Sequence, residues 1–161
     1  MVITFGLILS FIVVFILAWL FIKTIGNNKW VSLLISIIIT PLLYFYLFYP
    51  MLNIFTSYHH QKYFNAENWA EFPELRYEML DQLNNKNQLI GKTKFEIEDD
   101  LGKPEWFGWD DSIKANSKNQ WNYNLGFKPG AFNNQQECLE LQFKDNTVVA
   151  VKTYQLEKEF E

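Results

Sequence analysis

The groups able to do chemistry are few and scattered. Two adjacent carboxylate pairs, Asp99–Asp100 and Asp110–Asp111, are the acidic candidates. Acid–base chemistry needs carboxylates that converge across a cleft. The first pair falls late in a predicted helix, near its negative end, and the second in a predicted loop. Solvated charges are ordinary in both places, and Lys114 and Lys118 argue against calcium at the second. His59–His60 suggests a metal, but adjacent residues diverge on helix and strand alike and no third ligand accompanies them. The single cysteine, Cys138, excludes an internal disulfide and any multi-cysteine metal site. The pattern around it sets it on the sheet face opposite Leu139, half exposed, inert and without a histidine partner. No catalytic, cofactor-binding or metal residue is expected, and the chain reads as non-enzymatic. The better functional candidate is aromatic. Trp106, Phe107 and Trp109 lie within four residues around Gly108. They read either as rings tucked over a sheet edge or as a partner-contact patch.

The elements that must carry these residues fall into two chemically different halves. All 18 acidic residues of the 161-residue chain follow position 50, and the first fifty residues hold only Lys23 and Lys29 as charged side chains. The remainder carries 14 less those two, or 12, basic groups against 18 acidic ones, a formal −6. Such a domain repels phosphate backbones, so nucleic acid is not an expected partner.

The run Phe5–Ile22 holds 18 uncharged residues, and Trp30–Tyr49 holds 20. At the α-helical rise the shorter covers about 27 Å, close to the hydrocarbon thickness of a bilayer. The first lacks the basic start and small-residue cleavage site of a signal peptide. The seven residues 23–29 between the runs allow only antiparallel neighbours, so residues 1–50 read as a transmembrane helical hairpin. Lys23 and Lys29 place that loop in the cytoplasm by the positive-inside rule. The anchor then sits in the cytoplasmic membrane with the soluble domain in the periplasm or extracellular space. Aromatic side chains from Tyr44 to Tyr49 suit the interface, and Pro41 is expected to kink the second span, a neighbouring hydroxyl serving the freed carbonyl. Gly6 with Ser10 and Ser32 with Ser36 are small-residue pairs suited to ordinary helix packing or to a homo-oligomer through the spans.

Residues 51–68 read as a juxtamembrane connector and 69–161 as a small α+β domain. A helix is expected from Pro73 to Lys86, with Leu75, Met79 and Leu83 on its apolar stripe beside Tyr77 and Leu80. Thr93 and Glu96 have capping-box spacing, Ile97 and Leu101 face inward, and Gly102 and Pro104 end the helix with a left-handed cap. The period then changes to two. Trp121, Tyr123 and Leu125 form one strand and Leu139, Leu141 and Phe143 a second. Asp145–Asn146 turns the chain into a third at Thr147–Tyr154. Trp106–Trp109 adds an edge strand, while 110–119 and 127–136 read as loops. Two helices followed by three to four antiparallel strands predict a sheet with one covered face.

Ile90-Gly91-Lys92-Thr93 leading to Leu101-Gly102-Lys103-Pro104, then Trp121, Tyr123 and Leu125-Gly126, then Leu139, Leu141 and Phe143 before Val148-Val149, resembles the SmpA/OmlA-type envelope domain. That fold is shared with the small outer-membrane lipoprotein of the β-barrel assembly machinery, and β-lactamase-inhibitor proteins use related repeats. The resemblance covers roughly residues 89–153 and implies a binding scaffold in the cell envelope. It departs in its tether, two spans here in place of an acylated N-terminal cysteine. The segments with which the family contacts lipid and partners have no match, so the resemblance implies fold and general role alone. The expected function is a membrane-anchored envelope module that binds or scaffolds a protein. The alternative is an inhibitor or immunity-type protein acting on a toxin or hydrolase at the membrane.

Overall fold

The computed structural model of the chain describes residues 1–85 and 88–157. It forms two compact units, Val2–His60 with Pro129–Phe132, and Gln61–Lys128 with the chain from Asn133 onward. The division falls inside the predicted connector, whose first part belongs with the hairpin and whose second part belongs with the α+β unit.

In the first unit, helix α1 spans Phe5–Ile25 and α2 spans Lys29–Leu43, capped by the Thr4 and Asn28 side chains. Both helices run into the predicted loop, so the turn itself is residues 26–28. Two helices, Phe5–Ile25 and Lys29–Leu52, are long and apolar enough to cross a bilayer. Ile8, Ile12, Ile16, Leu34 and Ile38 point outward, a surface that suits hydrocarbon and not water. Leu7, Val14 and Ala18 are buried on α1, and Ser32, Ser36 and Thr40 on α2. Each of these three hydroxyls donates to the carbonyl four residues earlier, at 3.1, 2.7 and 2.6 Å, and so needs no water. The Ser32–Ser36 pair is therefore used in packing within the hairpin. Pro41 lies inside α2, and the disturbance takes the form of a π-helical turn, Tyr44–Phe48, before the short helix α3, Tyr49–Leu52. The hydroxyl of Thr40 serves Ser36, not Ile37, the carbonyl that a proline at position 41 cannot reach.

The second unit begins with a helix the sequence reading did not place, α4 at Ala66–Glu71, capped by Asn65. The stretch read as one helix from Pro73 is a 3-10 turn, Pro73–Leu75, and then α5, Tyr77–Asn85; Lys86 lies outside the described residues. The interruption falls at Arg76, the only arginine in the chain, which turns inward. Its Nε donates to the Trp69 carbonyl at 2.7 Å, and its Nη1 to Glu105 at 2.6 Å and to the Asn124 carbonyl at 3.1 Å. Its guanidinium also lies 4.9 Å from the Trp69 ring centre. Trp69 itself is fully buried, its indole N–H donating to the Leu101 carbonyl.

Helix α6, Lys94–Leu101, starts with both halves of the Thr93–Glu96 capping box and buries Ile97 and Leu101. Gly102 ends it at φ +78°, as expected in sign. Its ψ of −175° makes it an extended, glycine-only conformation and not the left-handed cap.

The strands are β1, Trp106–Asp110; β2, Ala115–Phe127; β3, Gln135–Lys144; and β4, Thr147–Glu157. They pair antiparallel in the order β1-β2-β3-β4. Both predicted loops are shorter than expected, because β2 starts at Ala115 and β3 at Gln135. The first half of β2, Ala-Asn-Ser-Lys-Asn-Gln, carries no apolar alternation, yet it pairs with Trp109 and Asp110. Asp145 and Asn146 both hold positive φ in the β3–β4 turn, as a tight two-residue hairpin requires. Trp121, Tyr123, Leu125, Leu139, Leu141 and Phe143 cluster with Tyr77, Met79, Leu83, Ile97 and Leu101, so the helices cover one sheet face.

Candidate functional site

Among the described residues strand β1 pairs with β2 alone and forms one edge of the sheet. In its register Trp106 is opposite Asn122 and Phe107 is opposite Trp121. Directly opposed residues project to the same face, so the two rings point to different sides. Phe107 faces the helix side, where Trp121 is core, and stays 39 % exposed. Trp106 lies half-buried on the other face. A break in register follows Phe107, and beyond it Trp109 is 59 % exposed, its indole N–H donating to Asp111 at 3.0 Å. The three candidate contact residues thus do not form one patch. Phe107 and Trp109 are the exposed members, and Trp106 belongs to a packed cluster.

That cluster explains Cys138, which is fully buried and not half exposed. Alternation names its face correctly but does not reveal what lies over it. Tyr154 is its cross-strand partner on β4, and the Tyr154 hydroxyl donates to Asn122 Oδ1 at 2.9 Å. Burial, with the Cys138 thiol beside it, pushes the Tyr154 phenol up to about 12.

On the helix side, Phe107 and Trp121 form the floor of a groove of about 400 Å³ between α6 and the β1–β2 edge, walled by Lys94, Glu98, Lys103, Pro104 and Lys118. Three ammonium groups face one carboxylate there, in a domain of opposite net sign. The Lys94 ammonium is held in place: it donates to the Lys118 carbonyl at 2.9 Å and to Asn119 Oδ1 at 2.7 Å. It also lies within 6 Å of the Trp121 and Phe143 ring centres. Lys103 extends into solvent, its side chain 85 % exposed and only 4.0 Å at nearest from Glu98. No local signal in the sequence marks this groove, because its lysines come from a helix, a helix end and a strand.

Of the other candidates, Asp99 lies exposed on α6, and the rest hold local structure. Ser112 donates its N–H and hydroxyl to Asp110 Oδ1, and these bonds hold that carboxyl below its usual range. Asp111 accepts from Trp109, and Asp100 pairs with Lys92. His59 lies near the Ser57 carbonyl. His60, in the hairpin unit, shares a hydrogen bond of 2.9 Å with the Tyr44 hydroxyl and packs among the rings of Tyr49, Tyr58 and Phe45. Among the described residues no three His, Cys, Asp or Glu side chains gather to hold a metal ion. Comparison with family models, curated proteins and solved structures finds no match to the chain.

Proposed function

We propose that this chain is a non-enzymatic, membrane-anchored envelope module that binds or scaffolds a protein partner through the β1 edge. One observation carries this reading. Phe107 and Trp109 present large exposed rings on a strand with one unpaired side, which is how protein-binding edges are built. Within residues 89–153 the order is one short helix, α6, and then the antiparallel sheet, and the SmpA/OmlA resemblance of that stretch supports an envelope role. Lys23 and Lys29, the only charged side chains near the turn of the hairpin, support a cytoplasmic turn and a domain outside the cytoplasmic membrane.

A photo-crosslinking residue placed at Phe107 or Trp109 in the full chain tests the reading in native membranes. Protein adducts are expected from both positions and not from Lys152 on the far side of the sheet. Lipid adducts alone, or equal adducts from all three positions, would refute it. Orientation is tested by fusing a reporter enzyme active only in the periplasm after Glu161, and a well-expressed but inactive fusion would refute the proposed sidedness.

A further inference from the structure

We infer that the groove beside β1 takes an extended, acidic segment of a partner, which adds to the sheet as a fifth strand and sets acidic and apolar side chains over Phe107. This rests on the proposed role of β1 as a contact edge and names the chemistry of what binds there.

Three features converge. First, β1 is an edge strand, so its outer side offers backbone N–H and C=O groups to an incoming strand. Of the devices that blunt such edges, β1 has shortness and a break in register, but no inward charge or proline. Here the five residues are Trp-Phe-Gly-Trp-Asp, with the only charge at the end. Second, a chain laid along β1 projects alternate side chains to the face that Phe107 shares with Trp121, and that face opens into the groove. An apolar side chain there would cover the exposed part of Phe107. Third, the flanking charge selects the neighbours of that side chain. Lys94, Lys103 and Lys118 outnumber Glu98, and Lys94 is pinned by two hydrogen bonds to neutral acceptors. A carboxylate entering the groove meets one ammonium held in place and two exposed ones, while a lysine-bearing segment is repelled. The rest of the domain is acidic, so this groove is a local exception to its field.

The probe is a short acetylated peptide alternating Glu with Phe and Leu, measured by fluorescence anisotropy against the full chain in nanodiscs. Three controls accompany it: the same peptide with Lys for Glu, the same peptide N-methylated at alternate backbone positions, and the chain carrying Lys103→Glu with Lys118→Glu. Both lysines are surface residues, so the double variant keeps its fold, which circular dichroism verifies. The acidic peptide is expected to bind, the lysine peptide to fail and the N-methylated peptide to lose binding. The double charge reversal should weaken binding about tenfold, and raised salt should weaken it further. Equal binding of acidic and basic peptides, or indifference to the charge reversal, would overturn the acidic preference. Indifference to N-methylation would overturn strand addition. No binding of the acidic peptide, with protein adducts still forming at Phe107, would refute this inference and leave the proposed function standing; loss of both would remove both.

Discussion

Replacing Arg76 with methionine removes a buried cation that ties four pieces of chain together, and the cost can be worked from its partners. Arg76 is 8 % exposed and serves the carbonyls of Trp69 and Asn124. Losing a donor to each buried acceptor costs on the order of 1 kcal/mol apiece. The ion pair to Glu105 counts for less than a buried pair, since that side chain is 36 % exposed, and about 1 kcal/mol is a fair discount for solvent. Stacking on Trp69 adds roughly another 1 kcal/mol, which methionine packing recovers in part. The sum is about 3 kcal/mol, equivalent to roughly 15 °C in the melting temperature of a domain this size. Urea unfolding of the full chain in detergent micelles, followed by tryptophan fluorescence, measures it through the midpoint at constant slope. Glu105→Gln alone and the double variant close a cycle that isolates the pair. A loss under about 0.5 kcal/mol for Arg76→Met would refute the view that this arginine holds α4 and the 3-10 turn onto the sheet.

Further variants probe other joints of the same unit. Gly126→Ala should be among the most damaging single changes, about 3 kcal/mol or more, because a Cβ there would sit 2.0 Å from the Glu74 carbonyl oxygen at φ +87°. Gly102→Ala has a similar φ but open space, so a smaller loss in the same assay is expected, and equal losses would rule out the steric account. Thr93→Ala should cost about 1 kcal/mol through the lost cap. The Glu96 carboxyl is held below its usual range by the Thr93 N–H first and then its hydroxyl, so its contribution is full above the ordinary glutamate pKa and lost as pH falls through the lowered one. The stability gap between the wild type and Glu96→Gln should therefore shrink in acid, and a gap constant with pH would contradict the assignment. Cys138 should resist a thiol reagent in the native chain and react on unfolding, with Tyr154→Ala speeding native labelling; fast labelling of the wild type would show that the outer face is open.

What the sequence made legible is what local chemistry specifies. Uncharged runs, capping-box spacing and strict alternation each follow from neighbours a few residues apart, and the hairpin, α6 and the centres of β2 and β3 stand where those signals lie. The misreadings share a cause in contacts across sequence distance. Helix α4 has six residues and a single buried side chain, Trp69, so it shows no period. Arg76 carries no local sign of its burial, since its acceptors at Trp69, Glu105 and Asn124 are brought to it only by the fold. Alternation gives Cys138 its face but not its exposure, because burial there depends on Tyr154 from the next strand. Trp106 and Phe107 looked like one patch as neighbours in sequence, and the pleat of a strand separates them.

The groove follows the same logic in reverse, because folding creates there a charge pattern that no segment carries. A sheet edge and three lysines have no reason to stay unneutralised in a domain with surplus carboxylates, since moderate rearrangement could pair them. Two of the potential neutralisers are engaged elsewhere. Glu96 is bound into the helix cap, and Asp100 is taken by Lys92. Glu98 approaches Lys103 only at 4.0 Å, too loosely to cancel it. Lys94 is kept from collapsing onto a carboxylate by a backbone carbonyl and an amide, neutral acceptors that fix its position while leaving its charge uncompensated. Neutral acceptors hold a cation in place without quenching its field, and that arrangement favours an anionic visitor over internal pairing. The edge beside it is short enough to avoid indiscriminate sheet extension, and the lysines turn that restraint into a preference for acidic strands.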